Sequence, residues 1–459
     1  MKRITLYTCM TVLFLGQSCT KDFLDREPIS DALPTELNAE SLLTGAYNGL
    51  YDEYYTSDFM AGSDVRSDNA YAGGDNPNIF QIEQFKENAV NQVVQRDWEY
   101  LYKNIKNVNV ILNYVPDMED SRLSAERKDE ILGEAATLRA WHYFNLVRLW
   151  GSVPIVIKAP DNVASTFESK KPVEEVYQQI IADLEYALPK VRTEVPDKGV
   201  VSKGVVNALL AKVYAQKPNP DWAKVNTYCD AVTALGYNLA GDYAALFQVS
   251  GENSVEAIWE TQFDGVQHEN WIVGMMTPWM WGDWKKFYIP THDLANAFDA
   301  AGDAVRKVVS IKRENTSWTD DFWPQPVALV SKYPEAKVNT HRLRYADILL
   351  LKAEALVEAN QLDDALEIIN ERIRQRVGLG PRTAADQAAA RQVVWQERRL
   401  ELAFEGHRWY DLLRTGTAVA TMNAQKDGDG NLLGYAVTEN KLYFPIPQNE
   451  VDRNPNINK

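Results

Sequence analysis

Apolar residues recur at the i, i+3, i+4 spacing of a helix face along most of the chain. The pattern predicts a first helix over 39–55 and then a pair, 92–115 and 124–150, split by a short polar turn. In the first of the pair Val93, Val94, Trp98, Leu101, Ile105, Val108 and Leu112 line one side. In the second, Ile131, Ala135, Leu138, Trp141 and Leu146 do the same, and Gly151 with Pro154 ends it. Pro172 opens a helix that reaches Leu188. Ser202 caps another over 203–216, where Ala208, Ala211 and Ala215 permit close approach of a neighbour, and Asp221 starts one that ends near Gly236.

A last pair, 344–359 and 362–377, is joined by Asn360-Gln361. Its Tyr345, Leu349, Ala353, Ala355 and Leu356, followed by Asp363-Asp364-Ala365-Leu366 and Ile369, resemble a tetratricopeptide repeat. Between 236 and 340 the helical pattern largely lapses, apart from one helix expected near 291–301. That stretch holds Pro278, Pro290, Pro324, Pro326 and Pro334 and is too aromatic for a disordered insert. The expected fold class is therefore all-α: a tetratricopeptide-like helical repeat scaffold with a large irregular, loop-rich ligand-binding portion. The regions read as a leader over 1–18, a tether over 19–38, a helical region over 39–235, the aromatic loop-rich segment over 236–340, and a C-terminal helical region over 341–459.

The leader changes the compartment. Met1-Lys2-Arg3 precedes an apolar run over 4–15, too short for a bilayer span of about 20 residues, so it reads as a signal peptide. It closes on Leu15-Gly16-Gln17-Ser18-Cys19, which resembles a lipobox with its leucine one place further from the cysteine than usual. Lipidation of Cys19 is the expectation, and a secreted protein cut near Ser18 is the alternative. Of three cysteines only Cys229 then remains, so no internal disulfide is available and Cys229 reads as a small buried apolar residue. Forty-eight basic against 64 acidic residues give a net charge of −16, which disfavours nucleic acid and charge-driven docking on anionic lipid. Membrane attachment falls to the lipid anchor.

The candidate chemistry is aromatic. The chain has 13 Trp and 22 Tyr. Trp271, Trp279, Trp281 and Trp284 fall within one short stretch where an even spread would place fewer than one, and Trp318 and Trp323 sit in Pro-bounded loop sequence. Such rings either pin the segment to the helices or offer flat faces to the C–H faces of pyranose rings. The loop from Asp64 through Asp68 to Tyr71 combines carboxylates, an amide, a guanidinium and a ring, a set that suits either polyol recognition or a capped turn. Glu397, Glu401 and Glu405 stand at i, i+4, i+8 beside several arginines, which reads as an intrahelical ion-pair ladder rather than glycosidase carboxylates. Asp427-Gly428-Asp429-Gly430-Asn431 begins like a calcium loop, but Leu432 and Thr438 break the pattern, so a hairpin turn is expected and no metal. His-Glu-x-x-His, Gly-x-Ser-x-Gly, phosphate-loop and dinucleotide motifs are absent, and no cofactor is implied.

Several segments together resemble the SusD/RagB family of nutrient-uptake outer-membrane lipoproteins. They are Cys19-Thr20-Lys21-Asp22-Phe23-Leu24-Asp25, Ser67-Asp68-Asn69, Ala136-Thr137-Leu138-Arg139-Ala140, Leu343-Arg344-Tyr345-Ala346-Asp347, the run from Glu397 to Asp411, and Phe444-Pro445-Ile446-Pro447 with Asn454-Pro455. The resemblance implies a non-enzymatic protein, lipid-anchored on the extracellular face of the outer membrane. Such a protein binds oligosaccharide and passes it to a SusC-type TonB-dependent porin. Ligand sites vary within the family, so the candidate contacts are the residues singled out above: Asp68, Tyr71, Trp271, Trp279, Trp281, Trp284, Trp318 and Trp323. A peptide-binding RagB-like uptake protein is the alternative, and a glycosidase a more distant one.

Overall fold

In the computed structural model the chain is described over residues 38–120, 122–158, 167–277 and 284–459. The leader, Cys19, and Trp279 and Trp281 lie outside the described residues.

The helices form where the pattern places them, and the caps explain their starts. Helix Gln92–Tyr114 begins where Asn91 Oδ1 accepts the N–H groups of Val93 and Val94. Helix Ala125–Trp150 begins at Ser124, whose Oγ accepts Arg127 N–H at 3.1 Å, and ends at Gly151 with φ +71°. Ser202, Asp221 and Thr291 cap Lys203–Gln216, Trp222–Ala234 and His292–Ala301 in the same way. Each side-chain acceptor satisfies a donor that the first helical turn leaves unpaired.

Helix Ala125–Trp150 is the axis of the molecule. From Glu130 onward almost every residue is buried, because Gln92–Tyr114 packs on one side and Val173–Ala187 on another. Gly133 is required there: a Cβ would stand 2.9 Å from both Lys190 Cβ and Val191 Cγ1. Lys203–Gln216 packs against Trp222–Ala234, which packs in turn against Tyr345–Glu358, with Ala208, Ala211 and Ala215 fully buried at the approach. These are stacked helix pairs. The second helix of the last pair departs from a regular repeat, since Leu362–Glu367 widens into a π-helical stretch over Ile368–Arg374. The first helix also departs from expectation: it stops at Asn48, and short helical turns replace it through Thr56.

The 236–340 segment is more regular than its sequence predicts. Ala257–Thr261 pairs antiparallel with Thr340–Arg344, Tyr288–Pro290 with Ala70–Ala72, and Ile311–Glu314 with Val327–Val330. Each is a two-stranded ribbon; the first closes the two ends of the segment on each other, and the second ties it to a distant part of the chain. Residues 39–459 form one compact unit around one large apolar core with two small satellite clusters.

The glutamates of 397–405 do not form a ladder on their own helix. That helix ends at Glu401, and Phe404 and Gly406 take φ +61° and +78°, so the i+8 relation to Glu405 is lost. The carboxylates instead reach cations on other elements. Glu397 pairs with Arg306 at 2.6 Å and Arg374 at 2.8 Å. Glu401 pairs with Arg306 at 3.0 Å, with Arg344 at 2.7 Å and with Arg376. Glu405 takes Arg344 and Lys332, each at 2.6 Å. Arg306 also pairs with Asp303, and Glu256 holds both Arg344 and Arg376. The network therefore clamps six stretches of chain together, at Glu256, Asp303 with Arg306, Lys332, Arg344, Arg374 with Arg376, and Glu397 to Glu405.

Candidate functional site

One open cleft of about 300 Å³ is lined by aromatic and polar groups from two parts of the chain: Tyr51, Glu53, Thr56 and Ser57, and then Gln267, His268, Glu269, Trp271 and Met275. The first set is held by the turn that interrupts the N-terminal helix. Asp52 there accepts Lys103 Nζ at 2.8 Å and Asn104 Nδ2 at 3.0 Å, which fixes the backbone on the long helix beneath. Tyr51 Oη donates to the Gln262 carbonyl at 2.8 Å and so ties this turn to the second set.

The second set hangs from the ribbon Ala257–Thr261. Just beyond it, Asp264 Oδ1 accepts the N–H groups of Val266, Gln267 and His268 at 2.7, 2.8 and 3.0 Å. These backbone donors hold the Asp264 carboxyl below its ordinary range. The tight turn lays the His268 ring flat on Tyr51, with centroids 3.7 Å apart and planes 13° from parallel. Phe263 meets the other edge of Tyr51 at 5.8 Å. Asn270 N–H donates to the Ala336 carbonyl at 2.7 Å and its Nδ2 to the Val338 carbonyl at 2.8 Å, anchoring the start of helix Ile272–Met276. Trp271 stands at that start, 45% exposed.

The electrostatics are acidic at the rim. Glu53 and Glu269 both line the cleft, and no lysine or arginine does among the described residues. Arg96 orients Glu53 from behind at 2.9 Å and also pairs with Asp58. Burial pushes the Asp58 carboxyl up to about 6 against the pull of Arg96. Lys286 sits behind helix Ile272–Met276, donating to the Gly274 carbonyl at 3.3 Å, and burial lowers its amine to about 8. Flat ring faces beside hydroxyls, an amide and carboxylates can stack on apolar C–H faces and bond a polyol's hydroxyls. Among the described residues no group of His, Cys, Asp and Glu is arranged to hold a metal.

Among the described residues expected at a site, the structure brings Trp271 alone into this cleft; Trp279 and Trp281 lie outside the described residues. Trp284 is 39% exposed and meets Phe287 edge-on at 5.3 Å. Trp318 is half-buried against a small second core that contains Trp323. Three expectations are corrected by burial. Asp68 is interior and held by Arg408 at 2.7 Å and Arg399 at 3.2 Å; these guanidiniums outweigh the effect of burial and bring its carboxyl down to about 2. Tyr71 is fully buried, stacked on Phe322 at 4.0 Å, with its Oη donating to the Lys426 carbonyl. Trp323 is buried with Nε1 donating to the Pro290 carbonyl at 2.7 Å and His292 packed 3.7 Å from its ring. The 64–71 loop is a packed joint: Asp64 accepts N–H from Phe404 and Gly406, and burial pushes its carboxyl up to about 6.

Tyr51, Glu53, Gln267, His268 and Glu269 were not among the expected residues. The one local signal was the Asp264-Gly265 turn. The Tyr51–His268 stack joins positions far apart in sequence and leaves no periodic trace.

Comparison with known proteins gives two family models that cover most of the chain. The model described as the SusD family matches residues 313–459. The model described as starch-binding, associating with the outer membrane, matches residues 22–215. The SusD-like protein P25 of Formosa agariphila is 25% identical, with 99% of this chain and 98% of that protein covered. A crystal structure of a SusD superfamily protein from Bacteroides vulgatus superposes with a TM-score of 0.77 at 21% identity, covering 94% of this chain and 98% of that one. A laminarin-binding SusD-like protein superposes with the same score at 23% identity, covering 91% and 97%.

Proposed function

The chain belongs to the SusD/RagB family, carbohydrate-binding proteins of the outer membrane rather than enzymes, and from that premise we propose that it captures a neutral oligosaccharide in the Tyr51–Trp271 cleft. The observation that carries this reading is the pairing of an exposed indole, Trp271, with the flat Tyr51–His268 stack across a rim of hydroxyl, amide and carboxylate groups. The ring faces take the C–H faces of pyranoses, and Glu53, Glu269 and Gln267 accept or donate to their hydroxyls. Glu53, paired with Arg96, and Glu269, with no lysine or arginine lining the cleft among the described residues, disfavour uronic acids and sulfated sugars, whose charge would be repelled on desolvation.

Two or three such ring contacts, each contributing about 0.5–1.5 kcal/mol beyond buried area, suit a millimolar to high-micromolar Kd, about −4 to −6 kcal/mol. Many anchored copies facing one polymer offset that weakness by avidity. In this reading Cys19 carries the lipid, the protein sits on the extracellular face, and the bound sugar passes to a SusC-type TonB-dependent porin. The family supports these three statements. The structure adds that among the described residues no helix is long and apolar enough to cross a membrane.

Isothermal titration against neutral β-glucans, xyloglucan, starch oligosaccharides and a uronate polymer tests the cleft. Trp271→Ala removes one ring contact and weakens binding of the best neutral ligand by about 2- to 12-fold. Tight binding of a uronate polymer, or unaltered affinity for every bound glycan in the Trp271→Ala protein, sinks this assignment.

A further inference from the structure

Away from the cleft lies a second, smaller cavity of about 30 Å³, whose lining includes Trp141, Arg148, Lys212, His341, Arg342 and Glu405. A space of that size takes one or two waters or a single small ion, and no sugar ring.

Its charges do not balance. Glu405 is already shared by Lys332 and Arg344. Lys212 pairs with Asp347, which Arg398 also holds. Among the described residues Arg148 donates to the Phe144 carbonyl at 3.0 Å and to Asn145 Oδ1 at 2.7 Å. Arg342 donates to Thr261 Oγ1 at 2.8 Å and to the Tyr55 carbonyl at 2.6 Å. Both guanidiniums are buried, and among the described residues neither has a carboxylate within ion-pairing distance. The six other buried arginines, Arg66, Arg306, Arg344, Arg374, Arg398 and Arg399, are all paired.

Aromatic faces offset part of the imbalance. Arg148 Cζ lies 4.0 Å from the Phe144 centroid and 3.9 Å from that of Tyr410, and Arg342 Cζ lies 4.9 Å from that of Phe59. Ring quadrupoles leave the net charge of two uncompensated cations in place. A second observation is independent of charge. The Trp141 Nε1 and both ring nitrogens of His341 are buried with no hydrogen-bond partner; His341 Nε2 lies 3.2 Å from Glu260 Oε1, out of hydrogen-bonding alignment. Indole and guanidinium N–H groups only donate, so a guest in this cavity must accept. Acceptor character, size and two positive charges together select an anion over a water.

We propose that this cavity binds one monovalent anion of halide size, held by Arg148 and Arg342 with Trp141 Nε1. The ion offsets one of the two unpaired charges where the long central helix meets the strand Thr340–Arg344, and the ring faces stabilise the remainder. The site is independent of glycan capture.

Thermal unfolding of the full protein, titrated with sodium bromide at fixed ionic strength made up with gluconate, reads the site. A rise in Tm that is logarithmic in bromide above its Kd, about 1–2 °C per tenfold step, is expected, and Arg148→Gln and Arg342→Gln each abolish it. Bromide-soaked crystals of the unaltered protein supply a measurement that does not depend on the variants folding. One anomalous peak within about 3.5 Å of the two guanidiniums supports the site. A Tm effect linear in bromide and unchanged in both variants, or a peak-free cavity at bromide far above the level that shifts Tm, means that the cavity holds water only and overturns the proposal.

Discussion

Replacing Glu401 by glutamine removes one charge from the centre of the buried network and changes little in shape. Five carboxylates, Glu256, Asp303, Glu397, Glu401 and Glu405, face five cations, Arg306, Lys332, Arg344, Arg374 and Arg376. Neutralising Glu401 leaves one positive charge in excess among fully buried groups. Removing one partner of a buried pair costs about 3–5 kcal/mol. The lower end applies here, because Arg306 keeps Asp303 and Glu397 and Arg344 keeps Glu256 and Glu405. For a folded unit of this length about 3 kcal/mol lowers Tm by about 3–4 °C.

The same residue has a pH signature. Burial alone would raise the Glu401 carboxyl, but Arg376, Arg344 and Arg306 hold it well below the ordinary carboxylate range. A depressed folded-state pKa gives stability that is present above the unfolded pKa and lost as pH falls. The Tm gap between the two proteins is therefore full at pH 7 and narrows below about pH 4.5. Differential scanning calorimetry across that range measures it, with Asp120→Asn, which breaks an exposed ion pair with Arg122, as the comparison that leaves Tm unmoved. A Glu401→Gln protein that unfolds within a degree of the parent at pH 7 refutes the claim that this network holds the segments together.

Two further outcomes follow from buried groups. Glu83 is buried, accepts a hydrogen bond from Tyr435 Oη, and burial pushes its carboxyl up to about 7. A raised carboxyl gives stability that is lost as pH rises toward that value, at most about 3 kcal/mol by pH 8. Glu83→Gln keeps the acceptor and gains Tm over the parent at pH 8 but not at pH 4; an equal loss at both would show that Glu83 serves only as a packing group. Cys229 is fully buried and unpaired, and burial holds its thiol well above the ordinary range. The folded protein resists a disulfide-exchange reagent at pH 8 and reacts once unfolded in urea, whereas rapid labelling of the native state would contradict its burial.

The helices were legible because their information is local. Periodicity with a capping residue placed Gln92–Tyr114, Ala125–Trp150, Lys203–Gln216 and His292–Ala301 within a residue or two of their observed ends. The ribbons were not legible, because Ala70–Ala72 and Tyr288–Pro290 are three residues each and find one another across most of the chain. The spacing of Glu397, Glu401 and Glu405 misled for a related reason. A carboxylate every four residues looks the same whether its cation sits on the next turn or on another element, and only the helix end at Glu401 separates the two cases.

The tryptophans show what composition alone could not separate. An indole pinned inside a fold is stabilised when its N–H finds an acceptor. Trp150 donates to the Pro445 carbonyl, Trp259 to the Gly199 carbonyl and Trp323 to the Pro290 carbonyl, and all three are core. Trp271 and Trp284 instead stand at 45% and 39% exposure in a segment just as rich in rings. What sets them apart is the support beneath. The ion network fixes strand Thr340–Arg344 through Arg344, that strand fixes Ala257–Thr261, and the chain leaving it carries Gln262, the Asp264 turn and His268 to Tyr51. A weak binder needs its rings pre-placed, because ordering them on contact would consume the few kcal/mol that two or three stacks provide. The most heavily charged part of the interior thus braces, through Arg344 and the ribbon it holds, the turn that lays His268 on Tyr51 in the proposed cleft.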